Sequence, residues 1–440
     1  MILKIFETKS IKILLMLFFM CIFGFGRSFM GIYIFNYRIG ELIMGLSLLL
    51  FLISLISFNK VSVFQDILNR KIYITLLFIV FSFFILSFIS DSSLLNPYTY
   101  KASSYIWSLG FLFLSIVFFD KVELKEKYLN VFLLILVYVY FFSIYGLPNN
   151  IVNFILSISD KYEPHKGSDI LIMFASVFFI YNRLLKNKRR ALEIFSIYFF
   201  IFLPLVFFKS RGAAIAFLIF AIGESYYLRH SFKSTWKRNS ILIFILALLL
   251  MQSIVLVGGS GFLKFEQTKE DVEYIAAYRA DPDIEKFRLL FYEEDFWRNE
   301  MRLYSSDNNL NWRLQIWQDV FYDIHYKNLY LTGYGYKDII PAMEQIDRQG
   351  LDRLNEHIHN YPFTLYARGG LLHFLSYLGF FLYLTNRSKE LVKSNYLLLY
   401  IIPVMFTAFF DAAMENSHYP LIFYFIIGIS FHKKKIFSYY

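Results

Sequence analysis

Between Asn309 and Gly370 the chain gathers Arg313, Gly333, Gly335, His357, His359, Asn360 and Arg368, in segments reading NNLNWRLQIWQDV, LTGYGYKDIIP and NEHIHNYPFTLYARGG. An arginine is a permanent cation suited to phosphate. A histidine exchanges a proton near neutral pH, and glycines let backbone turn tightly or approach a ligand. Such a set can hold an anion and move a proton. A second set precedes it at LVFFKSRGAAIAF, where Lys209 and Arg211 stand between two apolar runs with almost no loop, followed by Gly212, Ala213, Ala214 and Ala216. A guanidinium beside the amino end of a helix whose small residues permit close approach forms an anion site. The alternative is an interfacial anchor, with Arg211 snorkelling from a helix end.

Each residue also has a plainer role open to it. Arg313 is expected in the first turn of a helix beginning near Asn309 or Asn311, where the dipole mildly disfavours a cation, so a purely structural role is less attractive. Gly333 and Gly335 read as a turn before Pro341. His357 and His359 share a face only in extended chain, and no third ligand stands at a zinc-like spacing. Glu293, Glu294 and Asp295 read as a solvated face. There is no GxxxxGK, no GxGxxG after a strand, no HExxH and no calcium loop. No nucleotide, metal or other cofactor is therefore assigned.

The elements that must position these residues are membrane helices. Hydrophobic residues make up 57% and charged residues 18% of the 440, against about 25% charged in soluble domains. Apolar runs lie at about 13–35, 39–58, 71–90, 99–119, 127–147, 169–185, 191–208, 211–228, 239–259, 361–385, 395–413 and 419–431. Measured against the roughly 20 residues that cross a bilayer core, they predict an all-α, polytopic transmembrane bundle of about twelve spans with one large helical periplasmic loop. The division is 1–260 for spans one to nine, 261–360 for the loop, and 361–440 for spans ten to twelve with a basic tail. The single cysteine, Cys21, lies in the first run, so no disulfide framework or CxxC motif exists.

Basic residues in the short connectors set the orientation. Arg183, Lys186, Lys188, Arg189 and Arg190 follow the sixth run, Arg229, Lys233, Lys237 and Arg238 the eighth, and Lys433 to Lys435 the last. Both termini then face the cytoplasm, and the long loop lies outside. Residues 261–360 carry twelve Lys or Arg against nineteen Asp or Glu, a net of −7, which leaves +17 on the remainder. The positive charge thus belongs to topology and to anionic inner-leaflet lipid, and it excludes nothing but a reading as nucleic-acid binding. Within the loop, the Asp281-Pro282-Asp283-Glu285 start, followed by Ile284, Phe287, Phe291, Met301 and Tyr304, predicts one amphipathic helix. Leu310, Leu314, Trp317 and Phe321, with Ile316, Val320 and Ile324 beside them, predict a second.

In order and spacing, SRG at the start of one span, Arg313-x-x-x-Trp317 and GYG in the large loop, then His359-Asn360 with Gly370 in the next span, resemble the O-antigen ligase and O-antigen polymerase superfamily. The resemblance covers about Pro204 to Leu384 in motif. It implies a metal-independent membrane glycosyltransferase, working at the periplasmic face of the bacterial inner membrane, whose donor is a polyprenyl-diphosphate-linked glycan. On it, Arg211 and Arg313 match the family's essential basic positions and His359 its essential histidine. Arg368 stands where ligases often carry an acid, and His373 where they usually carry a small residue or tyrosine. Ligase activity toward an acceptor such as lipid A core is the first reading, and polymerisation of O-antigen or exopolysaccharide repeats is the alternative.

The residues fit that chemistry by themselves. Displacing a diphosphate from an anomeric carbon develops negative charge on the leaving group, which fixed cations can meet. Arg211 and Arg313 would supply them, with Lys209, Gly212, Gly333, Gly335 and Arg368 binding substrate. His359 suits a general base for the acceptor hydroxyl, with Asn360 orienting it or the sugar. The geometric expectation is convergence of Arg211, Arg313 and His359 at the outer face. A glycan or lipid transporter is the reading from another class, against which stand the absence of repeated halves and the few charges within spans.

Overall fold

The computed structural model describes residues 9–56, 68–121, 126–159, 162–229, 236–259, 290–295, 300–349, 355–392 and 394–432. Helix α1 (Lys9–Phe25) is followed by a short turn, Arg27–Met30, and by strands β1 (Tyr33–Ile34) and β2 (Tyr37–Arg38). Then come α2 (Ile39–Ile56), α3 (Arg70–Ile89), short helical turns between Pro97 and Gly110, α4 (Phe111–Lys121), α5 (Glu126–Tyr145) and α6 (Asn149–Ile158). Helices α7 (Gly167–Leu184), α8 (Lys188–Lys209), α9 (Arg211–Tyr227) and α10 (Trp236–Gly259) complete the first half. Strands β3 (Phe291–Asp295) and β4 (Glu300–Tyr304), α11 (Asn308–Tyr326), α12 (Tyr361–Val392), α13 (Tyr396–Thr407) and α14 (His418–Ser430) follow.

Helix lies within every one of the twelve apolar runs. Five segments are long and apolar enough to cross a bilayer on their own: Arg70–Ile89, Tyr128–Tyr145, Gly167–Leu184, Lys188–Lys209 and Ile241–Gly258. The chain is a multi-pass membrane protein, mostly helical with little strand. It forms two compact units, one of Met1–Ile74, Tyr105–Phe262 and Phe381–Tyr440, the other of Thr75–Ser104 and Leu263–Phe380.

In the first unit α7 is the central helix. Its apolar window is 94% buried, whereas that of α10 is 17% buried and carries the outward face. The α8–α9 junction is a single residue. Ser210 is extended (φ −161°, ψ 122°), its N–H still donates to the Val206 carbonyl at 2.9 Å, and its Oγ accepts from Ala213 N at 3.3 Å. One serine thus ends α8 and caps α9. Arg183, counted among the connector cations, is instead fully buried in the last turn of α7 against Glu224 of α9.

In the second unit α11 lies on a core of Ile316, Val320, Ile324, Ile340, Met343, Ile358 and Ala367. The helix begins at Asn308, one residue before the earlier of the two expected starts, because Asp307 caps it by accepting from Leu310 N at 2.9 Å. Arg313 therefore sits in the second turn. The inward stripe is Ile316-Val320-Ile324, while Phe321 is 51% exposed.

The amphipathic helix expected through Phe291, Met301 and Tyr304 is not formed. These residues make an antiparallel hairpin, with Phe291 opposite Tyr304 and Asp295 opposite Glu300. Its physical reason is visible in β4, where Met301 is exposed and Arg302 buried; alternation of period two replaces the helical stripe. Arg302 reaches Glu300 at 2.8 Å and Asp319 of α11 at 2.7 Å, and Arg348 reaches the other Asp319 oxygen at 2.7 Å. Burial alone would lower the Arg302 guanidinium, but Glu300 and Asp319 carry it above its ordinary value. The Asp281–Glu285 helix start and Lys433–Lys435 lie outside the described residues.

Candidate functional site

In the second unit the histidine segment is held by a neighbour whose part was not apparent from sequence. Asn355 Nδ2 donates to the His357 carbonyl at 2.9 Å, and its Oδ1 accepts from His357 N at 3.2 Å and lies 3.1 Å from His359 Nε2. An amide whose nitrogen is already donating presents oxygen to the imidazole. His359 therefore carries its proton on Nε2, and Nδ1 has the basic lone pair. The residue adopts φ +52°, a left-handed conformation uncommon for a side-chain-bearing residue and one that concentrates at functional positions.

Helix α11 meets this segment through two tryptophans. The Trp312 ring lies 5.2 Å from the His359 ring, centroid to centroid, and Trp317 Nε1 donates to the Ile358 carbonyl at 2.8 Å. At about 100° per residue, Arg313 falls in azimuth between Trp312 and Trp317. Its side chain, half-buried, thus leaves α11 on the face turned to Ile358 and His359. The Arg-x-x-x-Trp spacing has a local reason: its tryptophan fixes the histidine segment against the helix carrying its arginine.

Asn360 is buried and caps α12. Its Oδ1 accepts from Phe363 N at 3.0 Å and its carbonyl from Thr364 N at 2.7 Å. Asn355, rather than Asn360, orients His359. Arg368 is also committed internally, donating to the Gly335 and Asp338 carbonyls at 3.2 and 2.6 Å and to the Tyr98 hydroxyl at 3.2 Å.

The glycines form one construction with Arg368. Gly370 has φ +62° inside α12 and breaks it, so Leu371 N donates to the Tyr330 carbonyl at 2.8 Å. The carbonyls of Ala367 and Arg368 accept instead from Tyr334 N and Gly335 N, at 2.8 and 2.9 Å. The GYG segment thus completes the broken helix, as buried backbone groups require. Gly333 and Gly335 have φ +62° and +72°, and a Cβ on Gly333 would strike the Ala367 carbonyl. Below the break, His373 is buried with Nδ1 3.0 Å from Tyr336 Oη and Nε2 2.7 Å from Ser82 Oγ. Tyr334 Oη donates to Asp323 at 2.6 Å, and burial together with that carboxylate raises its pKa.

Lys209, Arg211 and Gly212 belong to the first unit. Arg211 is the exposed first residue of α9, and a Cβ on Gly212 would come within 3.2 Å of the Phe410 ring. Lys209 is half-buried at the end of α8. The structure brings Gly333, Gly335 and Arg368 together and seats His359 on the helix of Arg313, in one unit; the three residues at the SRG break share the other.

A multi-pass helical membrane protein with cations at a helix junction, and with a histidine held on a tryptophan-flanked arginine helix, is the class these features define. Residues 194–378 match the family model described as O-antigen ligase, a match that supports the O-antigen ligase superfamily. The match supports a membrane glycosyltransferase of the ligase or polymerase type. The matched span contains all of Lys209, Arg211, Gly212, Arg313, Gly333, Gly335, His359, Asn360 and Arg368. No curated protein matches the chain.

Proposed function

We propose that the protein transfers a glycan from a polyprenyl-diphosphate carrier to an acceptor hydroxyl, ligase-fashion, on a sugar of the lipid A core type. The observation that carries this is His359, locked by Asn355 as the Nε2–H tautomer and seated on the helix of Arg313, within the segment that matches the family. The His359 imidazole takes the acceptor's proton as the acceptor oxygen attacks the anomeric carbon. The carbon–oxygen bond to phosphate breaks, and the diphosphate leaves with the electron pair. Arg211 and Arg313 meet its developing charge, which in a water-poor site counts for more than in water. Lys209 and the amino end of α9 at Gly212 add to the same field. Gly333, Gly335, Asn360 and Arg368 act by holding the histidine segment and the broken helix in place. The reaction occurs at the outer face of the cytoplasmic membrane, with residues 261–360 outside and both termini inside, and it draws on no metal or nucleotide.

The deciding experiment gives purified protein a lipid-linked repeat with and without lipid A core. A glycan–core product supports ligation; chain extension without core assigns polymerisation; movement of the lipid-linked glycan across vesicles with no new glycosidic bond assigns transport. His359→Ala and Arg211→Ala should each abolish product while the protein stays in the membrane, and normal product in both would overturn the reading.

A further inference from the structure

The first turn of α7 carries a buried polar cluster outside the residues assigned above. Ser168 Oγ donates to Asp411 Oδ2 at 2.6 Å, and His418 Nε2 donates to Asp169 Oδ1 at 2.8 Å. The second Asp169 oxygen accepts from Lys166 N at 3.0 Å, which closes the turn. Two consecutive residues of one helix thus hold Asp411, within the segment joining α13 to α14, and His418, the first residue of α14. That segment includes Phe410, the ring against which Gly212 packs.

The same turn touches the α8–α9 junction directly. A Cβ on Gly167 would come within 2.8 Å of Ser210 Cβ and 3.1 Å of Ala213 Cβ. Ser210 to Ala213 therefore lie between the start of α7 and the Phe410 segment, and Arg211 is the residue in between that projects to the exterior. Burial of a carboxylate and an imidazole as a pair costs solvation and is weak evidence for stability alone. A pair that fixes the register of a functional turn is its better-attested use.

On the reading of Arg211 as a ligand for the leaving diphosphate, we propose that Asp169 and His418 are positioning residues that clamp the Phe410 segment and hold Arg211 in its working orientation. The clamp acts through one bond. His418 is 3% exposed, its Nε2 faces Asp169, and its Nδ1 is buried with no hydrogen-bond partner among the described residues. A glutamine, which presents an amide N–H near the position of Nε2, should replace it; an alanine should not. The charged and titratable groups around the pair include Glu163, His165, Lys166, Lys209, Asp411 and Tyr419, and burial holds the His165 imidazole below its ordinary range.

The test uses full-length protein reconstituted with a lipid-linked repeat and acceptor. His418→Ala should lower kcat/KM for the donor by on the order of a hundredfold, the scale of a displaced positioning group, while KM for the acceptor is unchanged. His418→Gln should stay within about threefold of the parent, since it keeps the N–H donor. In an Arg211→Lys background, His418→Ala should cost much less than in the parent, because residues acting as a unit are non-additive. If His418→Gln is as impaired as His418→Ala, or the two losses simply add, the clamp is overturned. Should His418→Ala fail to fold, Asp411→Asn and Ser168→Ala loosen the other end of the same segment and must show the same donor-specific loss. Arg211→Ala with full activity would overturn the functional reading. Loss in Arg211→Ala with normal donor kinetics in folded His418→Ala would overturn the clamp alone.

Discussion

At the scale of single residues, the chemistry depends on which nitrogen of His359 is basic, and Asn355 decides that. Its amide oxygen faces Nε2, and its amide nitrogen is occupied by the His357 carbonyl. Asn355→Ala should therefore lower kcat by about ten- to a hundredfold, the usual cost of an orienting partner of a functional histidine, with melting temperature little changed. Asn355→Asp keeps the acceptor and should recover part of the loss. Equal activity in Asn355→Ala and parent would remove the tautomer argument. The sequence displayed His359, Arg313 and Arg211 because a cation or imidazole beside a membrane helix needs an explanation. It did not display Asn355, because an asparagine in a loop is ordinary until its bonds are known. Asn360 and Arg368 looked equally available for substrate, yet the helix cap takes Asn360 Oδ1 and the Gly335 and Asp338 carbonyls take Arg368 Nη1. Polarity and spacing are written in a sequence; the partners that satisfy each polar atom are not.

At the scale of elements, the break in α12 explains why three glycines recur where they do. Gly370→Ala forces a side chain into a left-handed backbone and against the Leu331 carbonyl. The backbone conformation alone costs about 1–3 kcal/mol. Gly379→Ala, in the same helix with nothing within 4 Å of a new Cβ, should be neutral or slightly stabilising. A comparison of melting temperatures in detergent separates the two, and similar values would mean that the break is not required. The hairpin gives a second contrast. Asp319 bridges Arg302 and Arg348 from a buried position, so Asp319→Asn should cost about 3–5 kcal/mol. Loss of the exposed Lys327–Asp323 pair through Lys327→Ala should cost less than about 1 kcal/mol. The hairpin itself was illegible because its apolar residues also satisfy a loose helical spacing. Bonds to α11 distant in sequence choose the strand: Arg302 to Asp319, seventeen positions away, and the Gln318 side chain to both backbone groups of Leu303.

At the scale of the whole molecule, the apolar runs were legible because a bilayer imposes length and hydrophobicity together. The charges were only partly so. Arg183 counts toward positive-inside orientation in the sequence, but it is a fully buried pin in the first unit. Its Nη1 donates to Glu224 at 2.9 Å and to the Phe179 carbonyl at 2.6 Å, and its guanidinium lies 3.9 to 5.0 Å from the rings of Phe179, Tyr227 and Tyr396. Asn182 donates to the second Glu224 oxygen at 2.9 Å. This arrangement joins α7, α9 and α13, the helices that carry the SRG junction and the segment clamped to it. Removing one partner leaves a charge in an apolar interior, whereas removing both leaves only a packing problem. Glu224→Leu should therefore cost about 3–5 kcal/mol and sharply reduce folded yield, while Arg183→Met with Glu224→Leu should recover most of it. The measurement is folded, monodisperse protein and melting temperature in detergent for both singles and the double. If the double variant folds but its donor kinetics fall, the ion pair sets the geometry of the α7–α9 contact; if folding and kinetics both return, it serves assembly alone.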